Sequence, residues 1–205
     1  CLSGDLNPDE TVAIIEKYFG NWKPSAHIDV PQFPAQPALT APVDTTVVGK
    51  EAPMLFMGWR ADASKSLQLD TLEVIAQLLS NGQAGLFDLD LSQKLKVQEV
   101  SAGIADMDEY SVFYVYGQPK SGQTLQEVRS LALSEIEKLK KGNFSDDLLP
   151  SIVNNYKRYY YTQLDNNQFR AKQYVDAFIN HKDWKQEVDK LNRISKLTKA
   201  EIVKF

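Results

Sequence analysis

The order of segments along this sequence predicts an α+β fold, an antiparallel sheet with helices packed on one face. Three observations carry that expectation. Strand-like runs come in pairs joined by short stretches, which antiparallel strands permit and parallel strands do not. Helical patterns follow one another instead of alternating with single strands. The chain has 205 residues, 43% hydrophobic and 24% charged, an ordinary globular balance that can bury a core without a structural metal.

Cys1-Leu2-Ser3-Gly4 reads as the end of a strand entering a turn. With no start methionine, the chain is expected to be a fragment of a longer protein, cut at a domain boundary, with 1–205 as a single domain. The first helix is signalled by Asn7 as N-cap, Pro8 at the first helical position and Glu10 at capping-box-like spacing. Val12, Ile15, Tyr18 and Phe19 form its apolar stripe, and Gly20 ends it. Residues 24–43 hold Pro24, Pro31, Pro34, Pro37 and Pro42 and read as an extended linker. Thr45–Gly49 and Met54–Trp59 follow as strand-like neighbours in one sheet.

The period then becomes helical. Leu69, Leu72, Ile75, Leu78 and Leu79 share a face, and Asn81-Gly82 breaks the pattern. A second helix is expected over 86–95. Strands are expected near Val97–Ala105 and Tyr110–Tyr116, with Asp106–Glu109 as the hairpin turn. Thr124 and Glu127 form a capping box for a long helix carrying Leu125, Val128, Leu131, Ile136 and Leu139, which Gly142 ends. Ser145 is expected to cap the next helix, with Leu148, Ile152, Tyr156, Tyr160 and Leu164 on its stripe and Pro150 near its start. Further helices are expected over 167–180 and 183–195. Thr198 and Glu201 make a last capping box.

Composition and motifs exclude several functions. A net charge of -4 disfavours nucleic acid and anionic membranes as partners, and no apolar run approaches a membrane span. Cys1 is the one cysteine, so no internal disulfide forms. A catalytic zinc needs two histidines on one helical face plus a carboxylate. The two histidines here, His27 in the proline linker and His181 at a helix corner, fit no such spacing and read as surface residues. Gly117-Gln118-Pro119-Lys120-Ser121-Gly122-Gln123-Thr124 comes close to a phosphate loop, but Gln123 stands where that motif needs lysine. Asp88 and Asp90, two apart, do not face each other on a helix, and Asp106, Asp108 and Glu109 are turn composition. Lys157-Arg158-Tyr159-Tyr160-Tyr161 could stack bases, yet helical spacing accounts for its tyrosines more simply. No Ser-His-Asp or Cys-His arrangement can be assembled.

Leu2-Ser3-Gly4-Asp5-Leu6-Asn7-Pro8-Asp9-Glu10, followed by Ile15-Glu16-Lys17-Tyr18-Phe19-Gly20-Asn21-Trp22, resembles the opening of the second-type, non-catalytic domain of insulinase/pitrilysin-family zinc peptidases. The proline-rich linker and the strands after it fit that pattern, as does the closing Ile194-Ser195-Lys196-Leu197-Thr198-Lys199-Ala200-Glu201-Ile202. The resemblance covers nearly the whole chain, as a profile of order and spacing. It implies a processing-peptidase-like metallohydrolase domain, a sheet flanked by helices and repeated in homologous domains that close a chamber around peptide substrates. It also implies that zinc and its HxxEH motif reside in another domain of the parent chain, so that no cofactor, metal ligand or catalytic residue is expected here. In the family, an arginine and a tyrosine seven positions later help hold the scissile carbonyl. Placed by Leu86-Phe87, those positions fall on Leu91 and Gln98, and both have lost the required chemistry. The expected function is therefore a chamber-forming, substrate-enclosing domain of a zinc metalloendopeptidase, with homologous domains and peptide as partners. The alternative is a domain of a catalytically dead relative that serves as a peptide-binding or scaffolding protein.

Overall fold

The structure, a computed structural model, describes residues 1–28, 31 and 33–205. The linker residues Asp29, Val30 and Gln32 lie outside the described residues. The chain divides into two compact units, Gly4–Glu51, and Cys1–Ser3 with Ala52–Phe205.

The smaller unit holds helix α1 (Pro8–Phe19). Its start is as expected: the Asn7 side chain accepts from the backbone N–H groups of Asp9 and Glu10, and Pro8 takes a position whose N–H would have no intrahelical partner. Val12, Ile15, Tyr18 and Phe19 are all exposed, and the Phe19 and Trp22 rings meet edge to face at 5.0 Å. Thr45–Gly49 is not a strand, which corrects the expectation. Its β-branched residues supply propensity only, and propensity without a pairing ladder does not hold a strand. Val47 and Val48 are almost fully exposed.

In the larger unit, β1 (Leu55–Ala61), β2 (Glu99–Ala105) and β3 (Ser111–Gln118) form an antiparallel sheet in the order β1-β3-β2. Cys1–Gly4 adds no strand to it, contrary to expectation. Instead the Ser3 hydroxyl accepts from Arg170 Nε at 3.0 Å. In β3, residues alternate strictly between buried and half-buried. Phe113, Val115 and Gly117 face the core, while Val112, Tyr114, Tyr116 and Gln118 face the other way, as a period of two requires.

Helices α2 (Gln68–Leu79) and α3 (Leu125–Lys140) pack on the core face. Leu69, Ile75, Leu78 and Leu79 are buried as their spacing predicts, joined by Val74 and Ala76. Gly117 lets α3 come close, since a Cβ there would lie 2.7 Å from Val128 Cγ1. The capping box of Thr124 and Glu127 is fully formed. Gly142, with φ of 69°, closes α3: the N–H of Asn143 donates to the Lys138 carbonyl and that of Gly142 to the Leu139 carbonyl, the Schellman pattern.

Helices α4 (Leu148–Leu164), α5 (Asn167–Ile179) and α6 (Trp184–Lys196) follow, with the short α7 (Lys199–Lys204) behind α3. Helix α4 starts after Asp147, not at Ser145. Ser145 instead accepts from the Asp147 N–H through its hydroxyl and from the Leu148 N–H through its carbonyl, forming the turn that precedes the helix. Pro150 then falls in the first turn, where no intrahelical donor is lost.

The helix expected over 86–95 is a short turn wound as a π-helix over Asp88–Ser92. The N–H of Gln93 donates to the Asp88 carbonyl and that of Lys96 to the Leu91 carbonyl, both five residues back. The loop before it explains why. Asp88 Oδ2 accepts from the N–H groups of Asn81 and Gly85, and Asn81 Oδ1 accepts from those of Gln83 and Ala84. Leu95, with φ of 51°, then turns the chain towards β2.

Candidate functional site

No group of three or more His, Cys, Asp or Glu side chains that could hold a metal occurs among the described residues. His27 belongs to the smaller unit and His181, with φ of 51°, to the corner between α5 and α6. Of the acidic residues singled out by sequence, Asp88, Asp90 and Asp106 have structural partners. Asp88 fastens the loop before the π-helical turn, and Asp90 takes Lys94 at 2.5 Å and Lys138 at 2.8 Å. Hydrogen bonds from those two ammonium groups hold the Asp90 carboxyl far below the usual carboxylate range. Asp106 meets Lys182 at 3.1 Å.

The phosphate-loop lookalike has another use. Gln123 Nε2 donates to the Lys96 carbonyl, its Oε1 accepts from the Lys120 N–H, and Lys120 Nζ donates to the Leu95 carbonyl. The loop thus clips the segment entering β2 in place. Leu91 is completely buried in the π-helical turn, and Gln98 is exposed just before β2, its N–H donating to the Gln118 carbonyl at 3.0 Å.

Three surfaces of the larger unit stand out. The sheet face turned from α2 and α3 is aromatic. The rings of Phe56 and Tyr114 stack at 5.4 Å, with Phe56 62% exposed, and Tyr114 lies over Gly103, whose added Cβ would come within 2.6 Å of the phenol oxygen. Gln118 Nε2 donates to the Tyr116 hydroxyl beside them. At the edge of the same face, the Arg60 guanidinium lies 5.0 Å from the Tyr110 ring centre.

The second surface is a groove of about 950 Å³ on the helical side of β1. Trp59, Phe113, Leu72 and Ile136 supply its apolar lining, and Glu137 and Lys140 pair across 2.8 Å at α3. The third is a pocket of about 170 Å³ among α4, α5 and α6, walled by Tyr156, Tyr159, Tyr160 and Phe169.

Next to that pocket lies an ionic cluster that sequence reasoning missed. Asp70 and Glu73 of α2 meet Lys190 and Arg193 of α6: Arg193 Nε to Asp70 is 2.7 Å and Lys190 Nζ to Glu73 is 2.9 Å. The i,i+3 spacing of each pair was a usable signal, since it sets both charges on one helical face. Tyr156 Oη donates to Glu73 at 3.4 Å, and burial, with the nearby carboxylates, pushes this phenol up to about 12. Burial acts against the Lys190 ammonium, but the charges of Glu73 and its neighbours outweigh it and hold Lys190 above the ordinary lysine range.

The sequence profile of the peptidase M16 inactive domain matches residues 1–156. The chain belongs to this family. Its fold recurs in a protease from Helicobacter pylori, with a TM-score of 0.85 at 20% identity, covering 98% of this chain and 50% of that one. The first half of the periplasmic protease PqqL from Escherichia coli matches with a TM-score of 0.67 at 10% identity, covering 98% of this chain and 46% of that one. The inactive peptidase domain of a proposed zinc protease from Bordetella parapertussis matches at 0.65 and 15% identity, covering 75% of this chain and 81% of that one. No curated protein sequence matches this chain. The chain spans about half the length of the Helicobacter and Escherichia structures. As an M16 inactive domain it has the expected α+β architecture, and no helix among its described residues is long and apolar enough to cross a membrane.

Proposed function

We propose that this M16 inactive domain is a wall of a peptide-enclosing chamber in a larger zinc metalloendopeptidase. It encloses and orients peptide without attacking it. The observation that carries this reading is the one-sided sheet: α2 and α3 cover one face, while the opposite face presents Phe56, Tyr114 and Tyr116. Aromatic rings on a rigid sheet give broad apolar contact at little entropic cost, which suits peptides of varied sequence. No group of three or more His, Cys, Asp or Glu side chains among the described residues could hold a metal, which supports assigning the hydrolytic step to another domain, where zinc would activate the water. Leu91 and Gln98, at the positions of the family's arginine and tyrosine, support the same division of labour. Leu91 is a core side chain and offers no donor. Homologous domains of the same parent chain are the partners this reading requires.

The test is photo-cross-linking in the parent protein, with a benzophenone side chain at Tyr114 or, as control, at the exposed Ser134 of α3. Labelled peptide should be captured at Tyr114 and not at Ser134, and chelator should abolish its cleavage by the parent while this chain alone stays inert. Equal capture at both positions, or at neither, would refute the chamber-wall reading. Capture at Tyr114 with no cleavage by the parent would place the protein among peptide binders that have lost activity.

A further inference from the structure

The small pocket among α4, α5 and α6 lies apart from the sheet face, and its chemistry is different. Helix α4 contributes Tyr156, Tyr159 and Tyr160, whose spacing sets them on one helical face. Phe169 of α5 closes the box. Its ring stands perpendicular to Tyr159 at 6.4 Å and near-perpendicular to Tyr160 at 6.2 Å. These are packed edge-to-face contacts that hold the three rings together as one aromatic wall beside the pocket. The volume of 170 Å³ equals the liquid share of about six waters, room for a planar polar head but not for a folded segment.

The charge around the pocket is uneven. Lys190 lines it, but its ammonium is taken up by Glu73 at 2.9 Å and Asp70 at 3.7 Å. Arg193 is likewise held by Asp70 and by the Gln186 carbonyl. Those two cations and two carboxylates balance. The Glu187 carboxylate, also on the lining, makes no hydrogen bond or ion pair with any described residue; only the backbone N–H of Glu187 is used, donating to the Asp183 carbonyl. The pocket therefore offers aromatic walls and one uncommitted carboxylate. Electron-rich ring faces and a carboxylate both repel anions and attract a delocalised cation. A single carboxylate is too few ligands for a bare metal ion.

We propose that this pocket binds the guanidinium of an arginine side chain presented by a peptide segment. A guanidinium is flat, weakly hydrated and stacks on aromatic faces, while its edge can donate to Glu187. This site is independent of the sheet-face reading and stands or falls separately.

The experiment titrates acetyl-Ala-Arg-Ala-amide into the 205-residue chain and follows the tyrosine and phenylalanine ring signals by NMR. Saturable shifts should centre on Tyr159, Tyr160 and Phe169. A citrulline peptide, of the same shape without charge, should bind at least about fivefold more weakly, and Glu187→Gln should weaken the arginine peptide by a similar factor. Phe169→Leu, checked as folded by circular dichroism, should weaken it as well. The proposal is overturned if citrulline or lysine peptides bind as tightly as arginine, if Glu187→Gln binds unchanged, or if no saturable shift is seen at these rings.

Discussion

Gly117 shows at the residue scale how closely α3 approaches the sheet. A valine there would drive its side chain into Val128, and overpacking of this kind costs about 1–3 kcal/mol. Gly117→Val should therefore lower the urea midpoint of unfolding, and an unchanged midpoint would mean that the helix can shift at no cost. Tyr156 gives a second reading. A folded-state pKa of about 12, above the ordinary 10, means that the native state keeps a proton the unfolded chain has lost. Its contribution to stability is complete below about pH 10 and is lost as pH rises from 10 towards 12. Tyr156 should ionise late in an absorbance titration, and Tyr156→Phe should delete that late step while blunting the alkaline fall in melting temperature. A late step that survives the substitution would assign it to another phenol. Neither property was legible in the sequence. Gly117 read as part of a phosphate-loop lookalike and Tyr156 as one residue of an apolar stripe, because contact across elements sets both environments.

At the scale of elements, agreement between sequence and structure follows locality. The capping boxes at Thr124 and Thr198 are complete as expected, because a cap is decided within four residues. The stretch 86–95 was not readable in this way. Asp88 leaves helical periodicity to serve the loop in front of it, where its carboxylate receives two backbone donors. Asp88→Ala would strand those donors, one of them buried, and should cost about 1–3 kcal/mol by chemical denaturation. Near-wild-type stability would show that water or a rearranged loop replaces the carboxylate. Gly142→Ala should also destabilise, by about 1 kcal/mol, because the residue holds a positive φ that alanine adopts with strain. The run Thr45–Gly49 was misread for the opposite reason. Its residue types favour a strand, but strand formation is decided by a partner, which a window of five residues cannot contain.

At the scale of the whole molecule, the division into two units has a direct test. The stretch between α1 and β1 has little regular structure among its described residues, and both Lys23 and Lys50 are exposed. Trypsin under native conditions should cut there first and leave a resistant fragment beginning near Glu51. Early cleavage within α2 to α7 would contradict it. The fold class was legible because the hydrophobic period switches cleanly along the chain. The candidate sites were not: the aromatic sheet face joins Phe56 to Tyr114 and Tyr116, far apart in sequence, and the helical spacing of Tyr156, Tyr159 and Tyr160 does not say what packs over them.

The strand order β1-β3-β2 carries a consequence for how the chain reaches its native state. The central strand is synthesised last of the three, and its two partners differ greatly in reach. Pairing β2 with β3 closes the short turn between Ala105 and Val112, whereas pairing β1 with β3 closes the whole stretch from Ala61 to Ser111. By loop-closure entropy the second step is harder by about 2 kcal/mol. The hairpin should therefore form early, with β1 zipping on afterwards once α2 has supplied apolar support. In a pulse-labelling refolding experiment, amides bonded between β2 and β3 should become protected before those between β1 and β3. Simultaneous protection of both ladders would mean that α2 and the sheet condense in a single step.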